Sequence, residues 1–303
     1  LNELLVIFLN NLLPIFLAAG AGYFVSQKLN VSPRPLSQVI FYIFGPCLIF
    51  TLLTKSELSD GDILLTGSFA ATVILMVGGL AFLVGKIAHL ERSTLAAVVL
   101  TSMIMNSGNF GLPVVLFAFG ETALDYASLF FVTNAILSYT VGVMTASMSS
   151  VNLGQAFTNL FKIPFIYALG LALLFMRTGW QVPMFLERTT TLLGDASIPA
   201  MLVLLGMQLK SADLSGQAAP MSITVGMRLL VSPLLALALG LIIGLSGPAH
   251  QAITLEAAMP TAVLTTVLAT EYNARPTFVT AAVFVTTLLS PLTITPLLAY
   301  LGA

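Results

Sequence analysis

Charge is scarce in this chain. Lys, Arg, Asp and Glu make up 8% of its 303 residues, against roughly 25% in a soluble domain. So little polar side chain cannot cover a water-facing surface, which excludes a soluble globular fold. The net charge of −1 excludes a polybasic nucleic-acid binder. A single cysteine, Cys47, excludes an intrachain disulfide and a cysteine-based zinc site. His89 and His250 lie far apart, near predicted helix ends, and read as loop residues. No His-Glu-x-x-His, Gly-x-Ser-x-Gly or Walker-type loop occurs, so neither an enzyme nor an ATP-driven pump is expected.

What is present is apolar sequence. Hydrophobic residues make up 58% of the chain and mean hydropathy is +1.02. A membrane span takes about 20 mostly apolar residues. Ten segments qualify: 4–25, 36–54, 62–86, 93–119, 125–148, 160–177, 189–209, 220–245, 250–270 and 277–301. The first follows Glu3 and ends without a small-residue cleavage site, so it reads as a spanning helix and not a signal peptide. The fold class expected is an all-α integral membrane protein of ten transmembrane helices in the lipid bilayer. The longest polar connection, 149–159, falls at the midpoint.

That midpoint suggests duplication, with repeats at 1–150 and 151–303. Asn11 to Phe16 resembles Phe161 to Ile166, and Pro46, Pro113 match Pro199, Pro260 at nearly the same offset. Lys28, Arg34, Lys86, Arg92, Lys162, Lys210 and Arg275 lie near odd-numbered connections; Lys55, Arg177 and Arg188 lie near even ones. The positive-inside rule then makes the odd connections cytoplasmic and turns both termini outward. Five spans per half is an odd number, so the two repeats would be inverted. Many alternating-access carriers are built this way.

The fourth span is interrupted by Asn106-Ser107-Gly108-Asn109-Phe110-Gly111-Leu112-Pro113. Glycine and proline free backbone polar groups there, and lipid cannot satisfy them, so the segment should be buried in protein or line a wet cavity. Pro113 and Pro260 are expected to start second half-helices, whose N-termini aim N–H groups and partial positive charge into the break. The preceding half-helices end in free carbonyls, which suit a cation.

Asn106, Ser107 and Asn109, with Pro113, Pro260 and Thr261, are the candidate substrate-binding residues. The asparagines can also act as caps. Glu256, four residues before Pro260, is a functional candidate because a carboxylate within hydrocarbon is costly. It would bind Na⁺ or carry a proton; otherwise it sits at the interface beside His250. Asp195 is a second acidic candidate, in a kinked and partly wet helix. Thr133, Asn134, Ser138 and Tyr139 form a polar face on the fifth span, for ion coupling or for joining helices. Arg228 lies within snorkelling reach of the cytoplasmic side, as a substrate or ion-pair residue.

These residues carry a family resemblance. Residues 106–113, with Ala258-Met259-Pro260-Thr261, Val267 to Tyr272 and Ser197-Ile198-Pro199-Ala200, resemble the auxin efflux carrier family. That family is similar in fold to the bile-acid sodium symporters. The resemblance implies a panel part and a core part, with broken spans 4 and 9 crossing at mid-membrane and the site at the crossing. Glu256 resembles the acidic ninth-span residue that binds sodium in the bile-acid symporters. The short 149–159 stretch is similar to bacterial members and lacks the long loop of plant ones. A small organic anion such as a malonate-like carboxylate is therefore expected, and not auxin.

The function expected is secondary active transport of that anion by alternating access, Na⁺- or H⁺-coupled, across a bacterial inner membrane. No cofactor is called for beyond a coupling Na⁺. A homodimer through the panel part is implied by the resemblance. The alternatives are a cation/proton antiporter using Glu256 and Asp195, and a membrane sensor or subunit that does not transport.

Overall fold

A computed structural model describes residues 2–147, 161, 163–208 and 218–303. The midpoint connection 149–159, Lys162 and Lys210 lie outside the described residues. Helix is what the composition demands, because only internal hydrogen bonding satisfies a backbone in hydrocarbon. In order the elements are α1 (Glu3–Lys28), α2 (Pro33–Lys55), α3 (Asp60–Ile87), α4 (Arg92–Met103), α5 (Ser107–Ser147), α6 (Pro164–Thr178), α7 (Met184–Gln208), α8 (Ala218–Ile243), α9 (Gly247–Ala257), α10 (Leu264–Glu271), α11 (Pro276–Leu289) and α12 (Pro291–Leu301).

Six of these, α1, α2, α3, α5, α7 and α8, are each long and apolar enough to cross a membrane, and the pair α11 and α12, bent by 47°, makes a seventh. Their outer surface suits lipid: Leu64, Leu192, Ile242 and Leu292 are 73–80% exposed. α5 has 41 residues and would measure about 60 Å if straight, twice a hydrocarbon core of about 30 Å. Gly120 breaks it, with φ 77° and ψ −168°, a conformation that residues with a Cβ resist. This break lies where the fourth and fifth expected spans meet.

The helices match the expected spans within a few residues, with two corrections. α7 starts at Met184, not 189, since the helix begins directly after Pro183 and takes in the apolar Met184, Phe185 and Leu186 ahead of the exposed Glu187 and Arg188. The restart of the ninth segment falls at Leu264, not at Pro260, which lies inside the break.

Small residues set the tightest packing. A Cβ on Gly22 of α1 would collide with the Val203 carbonyl of α7, and one on Gly206 of α7 with the Ala19 carbonyl of α1. Backbones this close are typical of membrane helix pairs. α6 packs on α2, with Phe165 over Gly45, while Gly194 of α7 lies against the Leu48 backbone. One large apolar cluster joins α1, α3, α4, α5, α7 and α9. A smaller one, including Phe50, Leu53, Val132 and Phe165, joins α2, α5 and α6.

Candidate functional site

Two interruptions of helix meet in the interior. α4 ends at Met103, and Ile104, Met105 and Asn106 leave the helix before it restarts at Ser107. Residues 258–263 separate α9 from α10. The two stretches run antiparallel with Met105 opposite Thr261. Asn106 N–H donates to the Pro260 carbonyl at 2.7 Å, and Ala262 N–H to the Ile104 carbonyl at 3.0 Å. Each break thus satisfies peptide groups that the other leaves free, which permits unwound backbone at this depth.

Side chains complete the crossing. Asn134 Nδ2 donates to the Met105 carbonyl and to Ser107 Oγ, both at 2.8 Å. Thr261 Oγ1 donates to the Thr101 carbonyl at 2.8 Å, and Thr261 N–H to Thr286 Oγ1 at 3.1 Å. Asn134→Ala would strand a buried carbonyl, and should lower stability by about 1–3 kcal/mol. Thermal unfolding in detergent checks this. Ser138→Ala serves as its control, because Ser138 Oγ donates to the Asn134 carbonyl of its own helix, and should stay within about 0.5 kcal/mol.

A cavity of about 310 Å³ opens beside the crossing, at the small end of ligand sites. Asn106, Ser107, Gly108 and Asn109 line it on one side. The first hydrogen bond of the restarted helix runs from Gly111 N–H to the Asn106 carbonyl at 2.9 Å. The N–H groups of Ser107, Gly108 and Asn109 therefore have no acceptor within their own helix. Asn106 Nδ2, Asn134 Oδ1 and Gln208 Oε1 are buried without a partner among the described residues, and all three residues line the cavity. An aromatic wall faces them, with Phe41 centred 5.8 Å from Tyr139 and 5.3 Å from Phe165, and Phe131 4.9 Å from Phe165. Gln38, Tyr42 and Val267 are lining residues that are also exposed, so the cavity opens on that side. Among the described residues, no charged side chain lines it.

Of the expected substrate residues, Asn106, Ser107 and Asn109 thus reach the cavity. Pro113, Pro260 and Thr261 are buried outside its wall. Pro113 sits at the start of the α-helical part of α5, but a π-helical turn, Ser107–Gly111, precedes it and carries the helix start to Ser107.

Glu256 ends α9 one residue before its last. It is fully buried, whereas His250 on the same helix is part-exposed. Neither carboxylate oxygen has a hydrogen-bond partner among the described residues. A Cβ on Gly111 would collide with this carboxylate, so it packs on the π turn at the start of α5. Of the other expected ion residues, Asn134 stands at the crossing and lines the cavity, and the rest are elsewhere. Asp195 is exposed on α7 and not buried, because it falls on the outer side of that helix. Thr133 donates to Leu129 of its own helix at 2.9 Å and lies outside the cavity wall. Arg228 does not snorkel, being 0% exposed.

Sequence reasoning did not identify Gln38, Phe41, Phe131, Met201 or Gln208 as lining residues. The glutamines carried a signal, being polar at the ends of apolar segments. The others are indistinguishable from lipid-facing residues without the packing.

A family of membrane transport proteins matches residues 7–298. A transporter of Methanothermobacter thermautotrophicus, named as uncharacterized, is 28% identical over 84% of each chain. One of Methanocaldococcus jannaschii, named likewise, is 28% identical over 86% of each chain. A Rhizobium meliloti protein named "Putative malonate transporter" is 30% identical over 94% of this chain and 93% of its own. With a lipid-facing helical body and paired breaks already in view, the match over nearly the whole chain decides the class: the chain is an integral membrane transporter, not an enzyme, and belongs to the auxin efflux carrier family of membrane transport proteins.

Proposed function

We propose that the protein is a secondary carrier of a small organic anion, working by alternating access at the crossing of two broken spans. The observation that carries this reading is one side of the cavity: the N–H groups of Ser107, Gly108 and Asn109, which lack an acceptor within their own helix, beside Asn106 Nδ2, which has no partner among the described residues. Helix N-termini hold carboxylates well, and no acidic side chain in the described wall opposes one. The name of the Rhizobium meliloti relative supports a small dicarboxylate.

Ten crossings in two inverted halves fit the helices. α4 with the first part of α5 forms the fourth, the rest of α5 the fifth, α9 with α10 the ninth, and α11 with α12 the tenth. The antiparallel bridge of the two breaks supports the inverted relation, as does the reciprocal packing of α1 on α7 and α6 on α2. In this reading α1, α2, α6 and α7 form a panel, the panel and the crossing move against each other, and both termini face outward. Glu256 is the coupling residue, since a buried carboxylate without a partner calls for a proton or a cation.

A thermal-shift screen tests the substrate class. Small carboxylates should stabilise the purified chain by about 2.7 kcal/mol at roughly a hundredfold above Kd, a rise of several degrees. Asn106→Ala and Asn109→Ala should remove the shift. Stabilisation by neutral analogues alone would sink the reading.

A further inference from the structure

Arg228 is the largest fully buried side chain among the described residues. It lies on the π-helical turn Met227–Val231 of α8. Burying a guanidinium is costly unless it is closely paired. Yet no carboxylate lies within 4.0 Å of it among the described residues. Its partners are dipoles. Nη1 donates to the Ser102 carbonyl at 2.7 Å, in the last turn of α4. Nη2 donates to the Ala257 carbonyl, at the last residue of α9, and to Ser232 Oγ. Ser232 Oγ donates to the same Ala257 carbonyl at 2.7 Å.

The two carbonyls end the two half-helices that lead into the crossing. Helix C-termini carry partial negative charge, and two of them converging make a place for a cation. In carriers with broken helices such ends coordinate the coupling ion. Here a planar fork of the chain's own guanidinium spans both ends, a geometry that a single ammonium group would not match.

We propose that Arg228 is a built-in cation that takes the place of a coupling metal ion between the C-termini of α4 and α9, so that the crossing binds no Na⁺ there. The inference rests on the carrier reading above and narrows its coupling from a proton or Na⁺ to a proton at Glu256. Arg228 is then the residue that sets ion specificity, by filling the site permanently.

The test uses the full chain purified in detergent, with Na⁺ exchanged for choline at constant ionic strength. The wild type should unfold at the same midpoint in both. Arg228→Ala should unfold several degrees lower, and millimolar guanidinium, or Na⁺, should recover part of that loss where choline does not. Arg228→Lys, which keeps the charge but not the fork, should fall between them. A saturable stabilisation of the wild type by Na⁺ over choline would overturn the proposal, and this arm stands even where Arg228→Ala does not fold. Equal response of a folded Arg228→Ala to guanidinium, Na⁺ and choline would also overturn it. The carrier reading fails by a separate result: no small carboxylate shifts the wild type.

Discussion

Glu256→Gln should abolish ion-driven accumulation in proteoliposomes while leaving solute exchange intact. Glutamine keeps the shape of the side chain, which is confined by the backbone at Gly111, but it cannot gain or lose a proton or neutralise a cation. With one-to-one coupling, a hundredfold ion gradient, worth about 2.7 kcal/mol, supports up to about hundredfold accumulation. In Glu256→Gln the ratio should fall to about one, whereas counterflow of labelled against unlabelled solute should continue. Stability separates this role from a structural one. Neither oxygen of Glu256 makes a hydrogen bond among the described residues, so the amide sacrifices none and should unfold no earlier than the wild type. Accumulation that keeps its full dependence on Na⁺ and pH would remove Glu256 from the coupling.

Gly206→Val should have the largest effect on folding. A Cβ there meets the Ala19 carbonyl, its carbon and its Cα, all backbone of α1. No rotamer change relieves such a contact, so α1 and α7 must separate along their most extensive interface. Overpacking costs typically 1–3 kcal/mol, and the upper part of that range is expected where only backbone can yield. Gly22, facing the Val203 carbonyl from the opposite side, should behave alike. Gly20 lies on the same helix with nothing within 4 Å of its Cβ position, and Gly20→Ala should be neutral or stabilising by about 0.5–1 kcal/mol. Thermal unfolding of the three variants in detergent gives the comparison, and equal effects at Gly206 and Gly20 would refute the packing argument. α7 also supplies Met201, Leu204 and Gln208 to the cavity wall, so ligand binding should fall with stability.

The correction at Pro260 shows where local reasoning ends. Proline marks a lost N–H, which holds equally inside a break and at a helix start. Which of the two applies depends on the Asn106 N–H that reaches the Pro260 carbonyl from another segment. Asp195 is a similar case. Its position in a polar, proline-containing stretch was legible, but its exposure depends on how α7 turns about its own axis.

The sequence by itself determined the membrane class, the approximate limits of the helices, the interruption near Asn106 and the isolation of Glu256 among apolar residues. Each follows from local physics: apolar length matches bilayer thickness, glycine and proline interrupt helix, and charge is costly away from water. The crossing of the breaks was implied by the family resemblance, but only the tertiary structure decided that their peptide groups bond to each other, that Arg228 spans two helix ends, and that Gln38, Phe41, Phe131 and Gln208 share a cavity with Asn106. The reason lies in helices that are apolar on nearly every face. Their sequence carries little periodic signal to say which side meets protein and which meets lipid, so the rotation of each helix, and every contact that follows from it, is set by packing alone.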